Sequence, residues 1–119
     1  MKDINLLKNN GIDIDSALEL LGDMEMYEET LNDFLEVSED RMPLLEKYYQ
    51  ENNMKDYAIQ VHAMKSDSNY LGFVTLAKMS LEHQLKSESN DSGYIKEHYH
   101  ELKQEANRII RLVKNYLNK

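Results

Sequence analysis

The scarcity of helix breakers constrains this chain most. Its 119 residues include one proline and four glycines. A fold of many strands needs frequent turns, and turns draw on those two residues. Long helices are what remains. Apolar residues spaced three and four apart recur through most of the chain, which is the period of a one-sided helix. No strand candidate survives this reading.

The punctuation that is present divides the chain into six segments. "DINLLKNNG" predicts a short helix capped by Asp3 and stopped at Gly11. "DIDSALELLG" predicts a second, with Leu18 and Leu21 on one face and Gly22 as its stop. Asp23 then caps a long run in which Met24, Tyr27, Leu31, Phe34 and Leu35 recur at helical spacing. Pro43 lies inside that run, and a kink or a break is expected near Arg41, because proline lacks one donor and clashes one turn back. Asn53 is a good N-cap for the next helix, 54–70, which ends where Gly72 can take the left-handed conformation. A further helix is expected over 73–87, a polar loop "SESNDSG" over 87–93, and a last helix over 94–117 with Ile95, Leu102, Ala106, Ile109, Ile110, Val113 and Tyr116 inward. Four substantial helices on short loops predict an all-α fold: an antiparallel up-down four-helix bundle, with the two short N-terminal helices packed across one end.

The length suits one domain, residues 1–119, with a modest core. Hydrophobic residues at 41% and charged residues at 30% are a globular composition. A net charge of −8 disfavours nucleic acid and anionic lipid as partners. The absence of cysteine removes disulfides, thiol nucleophiles and cysteine zinc sites. No apolar run approaches the ~20 residues of a membrane span, and the N-terminus lacks the apolar stretch of a secretory signal. A cytoplasmic protein that makes no membrane contact is expected.

Helical phase places the histidine of "VHAMKSDSNYLG". At 100° per residue, Met54, Tyr57, Ala58, Val61, Met64, Ser68 and Leu71 share one arc, the core-facing stripe. His62 falls far from its centre. Lys65, Ser66 and Asn69 follow it at i+3, i+4 and i+7, so they are its neighbours on an exposed polar patch. A solvated face that happens to carry a histidine satisfies the same periodicity. The patch nevertheless suits specific chemistry. An unperturbed imidazole titrates near ~6.5 and is largely neutral and nucleophilic at pH 7. Lys65 can bring an ammonium beside a phosphoryl group on that ring, and Ser66 is small enough to let a partner approach. Asp67 projects elsewhere, so no carboxylate accompanies the patch on its own helix face, and a base-activated hydrolytic site is not suggested.

"HAMKSDSNYLG" resembles the signature of histidine phosphotransfer (HPt) domains, carried here by His62, Lys65, Ser66, Ser68, Leu71 and Gly72, with Leu76 at the family's spacing in the next helix. "GIDIDSALELLGDMEMYEETLNDFLE" is similar to the beginning of such domains, so the likeness covers nearly the whole chain. Asp67 stands where the family usually has a small neutral residue. The resemblance implies a four-helix bundle and reversible transfer of a phosphoryl group between Nε2 of His62 and an aspartate of a response-regulator receiver domain. Lys65 would support the phosphoryl group, and Ser66, Asn69 and Gly72 would meet the partner. It implies a phosphocarrier with no kinase activity of its own and no cofactor, the Mg²⁺ sitting on the receiver, and a hybrid sensor histidine kinase as the other partner. A monomer is expected.

If the helices before and after Gly72 form an antiparallel hairpin, residues whose numbers sum to about 146 lie side by side. Gln84 then faces His62, where its amide can bond the imidazole or a phosphoryl oxygen; a solvated edge residue is the other reading. His83, His98 and His100 read as surface histidines. The last two are two apart on a helix and point to different sides, and "EHYHE" is not the HExxH zinc motif, so no metal site is expected. Asp23, Glu25, Glu28, Glu29, Asp33 and Glu36 read as the wet face of their helix. No Gly-rich phosphate loop is present. Three other functions remain in view. One is an HPt-like module that docks a receiver without carrying phosphate. Another is the dimerisation and phosphoacceptor domain of a sensor kinase, against which Ala63 after the histidine and the lack of a downstream proline both count. The last is a chemotaxis-kinase phosphotransfer domain.

Overall fold

The computed structural model describes residues 2–119, so Met1, the first residue of the expected domain, lies outside it. Among the described residues the chain is all helical. In order the helices are α1 (Ile4–Lys8), α2 (Ile14–Leu21), α3 (Met24–Gln50), α4 (Met54–Leu71), α5 (Val74–Glu88) and α6 (Ser92–Leu117). Five of them start on a side chain that satisfies an orphan backbone donor. Asp3, Asp13, Asp23, Asn53 and Asp91 accept from Asn5, Ser16, Met26, Asp56 and Tyr94. Only α5 lacks such a cap; its N-cap position is Phe73, directly after the turn at Gly72.

The long helices close a ring. α3 packs on α4 and α6, and α5 packs on α4 and α6. One apolar cluster runs through the ring, from Leu7 and Ile14 to Val113 and Tyr116. The α4 stripe is buried as its phase requires: Met54, Tyr57, Ala58, Val61, Met64, Ser68 and Leu71 all face inward. α1 packs on α6, and α2 on α3 and α4.

The start of α2 is tied to the α4–α5 turn. Asp13 donates its backbone N–H to the Gly72 carbonyl at 2.9 Å. Gly72 has φ +80°, and a Cβ there would run into the Asp13 carbonyl, so both conformation and space demand glycine. Tyr27 of α3 adds a buried bond from its hydroxyl to the Leu71 carbonyl at 2.8 Å. These bonds hold the C-terminal end of α4.

Two local expectations are corrected. α3 runs unbroken through Pro43, whose ring is exposed; the Glu39 carbonyl, which loses its helical donor there, belongs to an exposed residue on the wet side, where water can serve it. The expected loop over 87–93 shrinks to 89–91: Ser87 and Glu88 finish α5, while Ser92 and Gly93 begin α6 after the Asp91 cap. In α2, Leu18 and Leu21 pack half-buried against the core beside the fully buried Ile14 and Ala17. No helix is long and apolar enough to cross a membrane among the described residues.

Candidate functional site

His62 sits on the outer side of α4 and is exposed. Val61, beside it in sequence, is fully buried, so the helix turns its imidazole to solvent by packing its opposite side. Ser66, one turn on, spends its hydroxyl on the His62 carbonyl at 3.2 Å, a local bond that leaves the imidazole free.

A groove of about 620 Å³ opens beside the ring between α4 and α5. His62, Ala58 and Ile59 of α4 face Gln84, Ser87 and Glu88 of α5 across it. Ile59 is 58% exposed, so the groove carries an apolar wall on the partner-accessible side. Gln84 is thus brought to the histidine. It does not bond the ring here: its Nε2 donates to Glu88 Oε2 at 3.2 Å, and its Oε1 is shielded from solvent with no donor.

Glu88 is the residue that phase analysis of α4 missed. A carboxylate does enter the neighbourhood of His62, from the facing helix rather than from α4. The hairpin register contained the signal, since 58 and 88 also sum to 146. Glu88 is engaged with Gln84, not with the imidazole, so it is not placed as a base for the ring.

Lys65, Asn69 and Gly72 line a second groove, of about 410 Å³, further along the same hairpin toward α2. Lys65 is therefore next to His62 on the helix surface but lines a different recess. Its flexible four-carbon stem covers that offset of one turn. Asn69 is exposed, whereas Gly72 is buried under Asp13 and acts on the shape of the turn.

Asp67 has a structural partner. Its Oδ2 accepts from Nη1 of Arg41, on α3, at 3.0 Å. Arg41 is 6% exposed, so this carboxylate supplies the counter-charge that a buried guanidinium requires. The negative charge in the middle of "KSDS" is thereby drawn away from the His62 face.

The other histidines are not alike. His83, expected at the surface, is 2% exposed. Its Nδ1 lies 2.8 Å from the Tyr57 hydroxyl, and the Tyr94 ring meets it edge to face at 5.6 Å. Burial pushes the Tyr57 phenol up, so the hydroxyl keeps its proton, and the His83 tautomer sets which of the two groups donates. Burial also holds the His83 imidazole down, to about 4, so it is neutral at pH 7. His98 lies against Tyr94, ring centres 4.3 Å apart, and pairs with Glu101, while His100 meets Tyr49 and Tyr99. Among the described residues no three metal-ligating side chains gather.

Compared with models of protein families, with curated proteins and with solved structures, the chain finds no match.

Proposed function

We propose that the chain is a phosphocarrier of the HPt type, built as one antiparallel up-down four-helix bundle of α3 to α6 with α1 and α2 across one end. His62 takes a phosphoryl group from an aspartyl phosphate of a receiver domain and passes it to another aspartate. The observation that carries this reading is the setting of His62. It is the exposed imidazole of a helix whose other side is wholly core, at the edge of an open groove, with an amide across from it and a lysine one turn away.

The chemistry needs little else from this chain. The lone pair of Nε2 attacks phosphorus, and the bond to the aspartyl oxygen breaks as the carboxylate leaves. Lys65 offsets charge on the transferring group. Glu88 is bonded to Gln84, and Asp67 to Arg41, so neither is positioned to activate water on the ring. The chain acts as acceptor and donor, without kinase activity, while the receiver provides Mg²⁺. A hybrid sensor histidine kinase would stand upstream, and the carrier would work as a cytoplasmic monomer.

The test mixes the purified protein with phosphorylated receiver domains in Mg²⁺ buffer, beside a His62→Gln control. Acid-labile, alkali-stable phosphate on the wild type and none on the control is the expected result. Binding to receivers without any label would replace the carrier with a docking-only module, whose contact surface would be the groove wall around Ile59.

A further inference from the structure

Gln84 presents an unusual arrangement at the His62 groove. Its amide group is bonded to Glu88 at 3.2 Å, while its carbonyl oxygen is shielded and receives no donor. Turning the amide over would aim its oxygen at the Glu88 carboxylate and lose the only bond it makes. Glu88 therefore decides which end of Gln84 is unspent, and the unspent end is an acceptor. Two groups on the α4 side of the groove can donate, the ammonium of Lys55 and the imidazole of His62, and His62 is the one that the α4–α5 register sets opposite Gln84.

We infer that Glu88 is a positioning residue that sets the tautomer of His62 through Gln84. In this arrangement the exposed ring turns so that Nδ1–H donates to Gln84 Oε1. A hydrogen bond at one ring nitrogen determines which nitrogen carries the proton. With the proton on Nδ1, Nε2 is bare. This rests on the phosphocarrier reading for its consequence, which is a matter of proton balance. When Nε2 of that tautomer attacks the aspartyl phosphate, the N–P bond forms and the P–O bond breaks. The electron pair of that P–O bond leaves with the aspartate. No proton has to move, because Nδ1 keeps its own. The other tautomer must first give up the Nε2 proton.

The placement of Glu88 fits this role better than a structural one. It is exposed, it ends α5, and a carboxylate in the last turn opposes the helix dipole, so its removal does not endanger the fold. Lys55, which also lines the groove, is not bonded to it.

The test uses the full chain labelled with ¹⁵N-histidine at a pH where the imidazole is neutral, with long-range proton–nitrogen correlation reporting the His62 tautomer. Wild type should be mainly Nδ1–H. Glu88→Ala should move the population toward Nε2–H and slow acceptance from a phosphorylated receiver by about threefold to fivefold, the worth of one hydrogen bond. Glu88→Gln keeps an oxygen that accepts from the Gln84 amide, so it should behave as wild type. A wild-type ring that is mainly Nε2–H, or a tautomer ratio unmoved by Glu88→Ala, overturns the inference. The magnetic resonance readout needs no phosphate, so the tautomer result stands apart from the carrier function, which fails only if wild-type His62 takes no label.

Discussion

Acidifying the protein from pH 7 to pH 5 should lower its stability by about 2 kcal/mol through His83 alone. Unfolded, this imidazole titrates at its ordinary value of 6.5. Folded, burial holds it at about 4; nearby His98 pushes the same way, and Glu82 and Glu101 push back. Between those values the unfolded chain binds a proton that the folded chain refuses. Stability is therefore full above 6.5, falls as the pH falls, and levels off below 4, where the whole loss reaches about 3 kcal/mol. The carboxylates act later. Glu28, held down by its bond from Lys2, and Glu46, held down by Lys103, lose their contribution only in the carboxylate range. The window from pH 7 to 5 thus belongs to histidine. The assay is urea unfolding followed by helical circular dichroism at pH 7, 6 and 5, on wild type and His83→Asn. Asparagine keeps an amide near the Nδ1 position that can bond the Tyr57 hydroxyl in either direction, but it cannot titrate. The three other histidines are common to both proteins and cancel in the difference. Wild type should lose about 2 kcal/mol more than the variant across this window. Parallel stability profiles would refute the reasoning, since a buried neutral imidazole cannot be indifferent to this pH change.

Two further outcomes follow from the packing. Gly72→Ala should destabilise the protein by more than about 2 kcal/mol, adding left-handed strain to a collision with the Asp13 backbone; thermal unfolding measures it, and an unchanged Tm would contradict both causes. Asp67→Ala should cost about 1–2 kcal/mol by stranding the Arg41 guanidinium, a value discounted for the 39% exposure of Asp67, while phosphoryl transfer by His62 is unchanged in rate. A slower transfer with unaltered stability would instead place Asp67 in the partner contact.

Much of the secondary structure is legible in the chain because its signals are local. The α4 stripe follows from helical period alone, and its seven inward residues are the seven that are buried. The N-caps at Asp3, Asp23 and Asn53 and the left-handed end at Gly72 follow from side chains that serve nearby backbone groups. Of the kink or break expected at Pro43, α3 does not take the break, because the rule for proline concerns an isolated helix. Here the helix is held on both sides of it by Leu35, Arg41 and Leu45, all buried, and the exposed side absorbs the lost bond.

The site is legible in part, and the division is physical. The exposure of His62 follows from the sequence because phase is set within one helix. Its relation to Gln84 needs one assumption about a hairpin. The partners of Asp67 and His83 need more, since each is decided by a side chain on a different helix. Arg41 lies on α3 and Asp67 on α4, 26 residues apart; Tyr57 and His83 are separated by the same number.

The sequence by itself determined that this chain is helical, where most of its helices begin and end, and that His62 is exposed beside Lys65 and Ser66. Those are consequences of backbone bonding, capping and a 3.6-residue period, each acting over a few residues. Only the tertiary structure decided that His83 is buried and neutral, that Asp67 is occupied by Arg41, and that Gln84 and Glu88 line one groove with His62. Burial and charge pairing depend on which helix faces lie against each other at a given height, and no span of one turn or two contains that information.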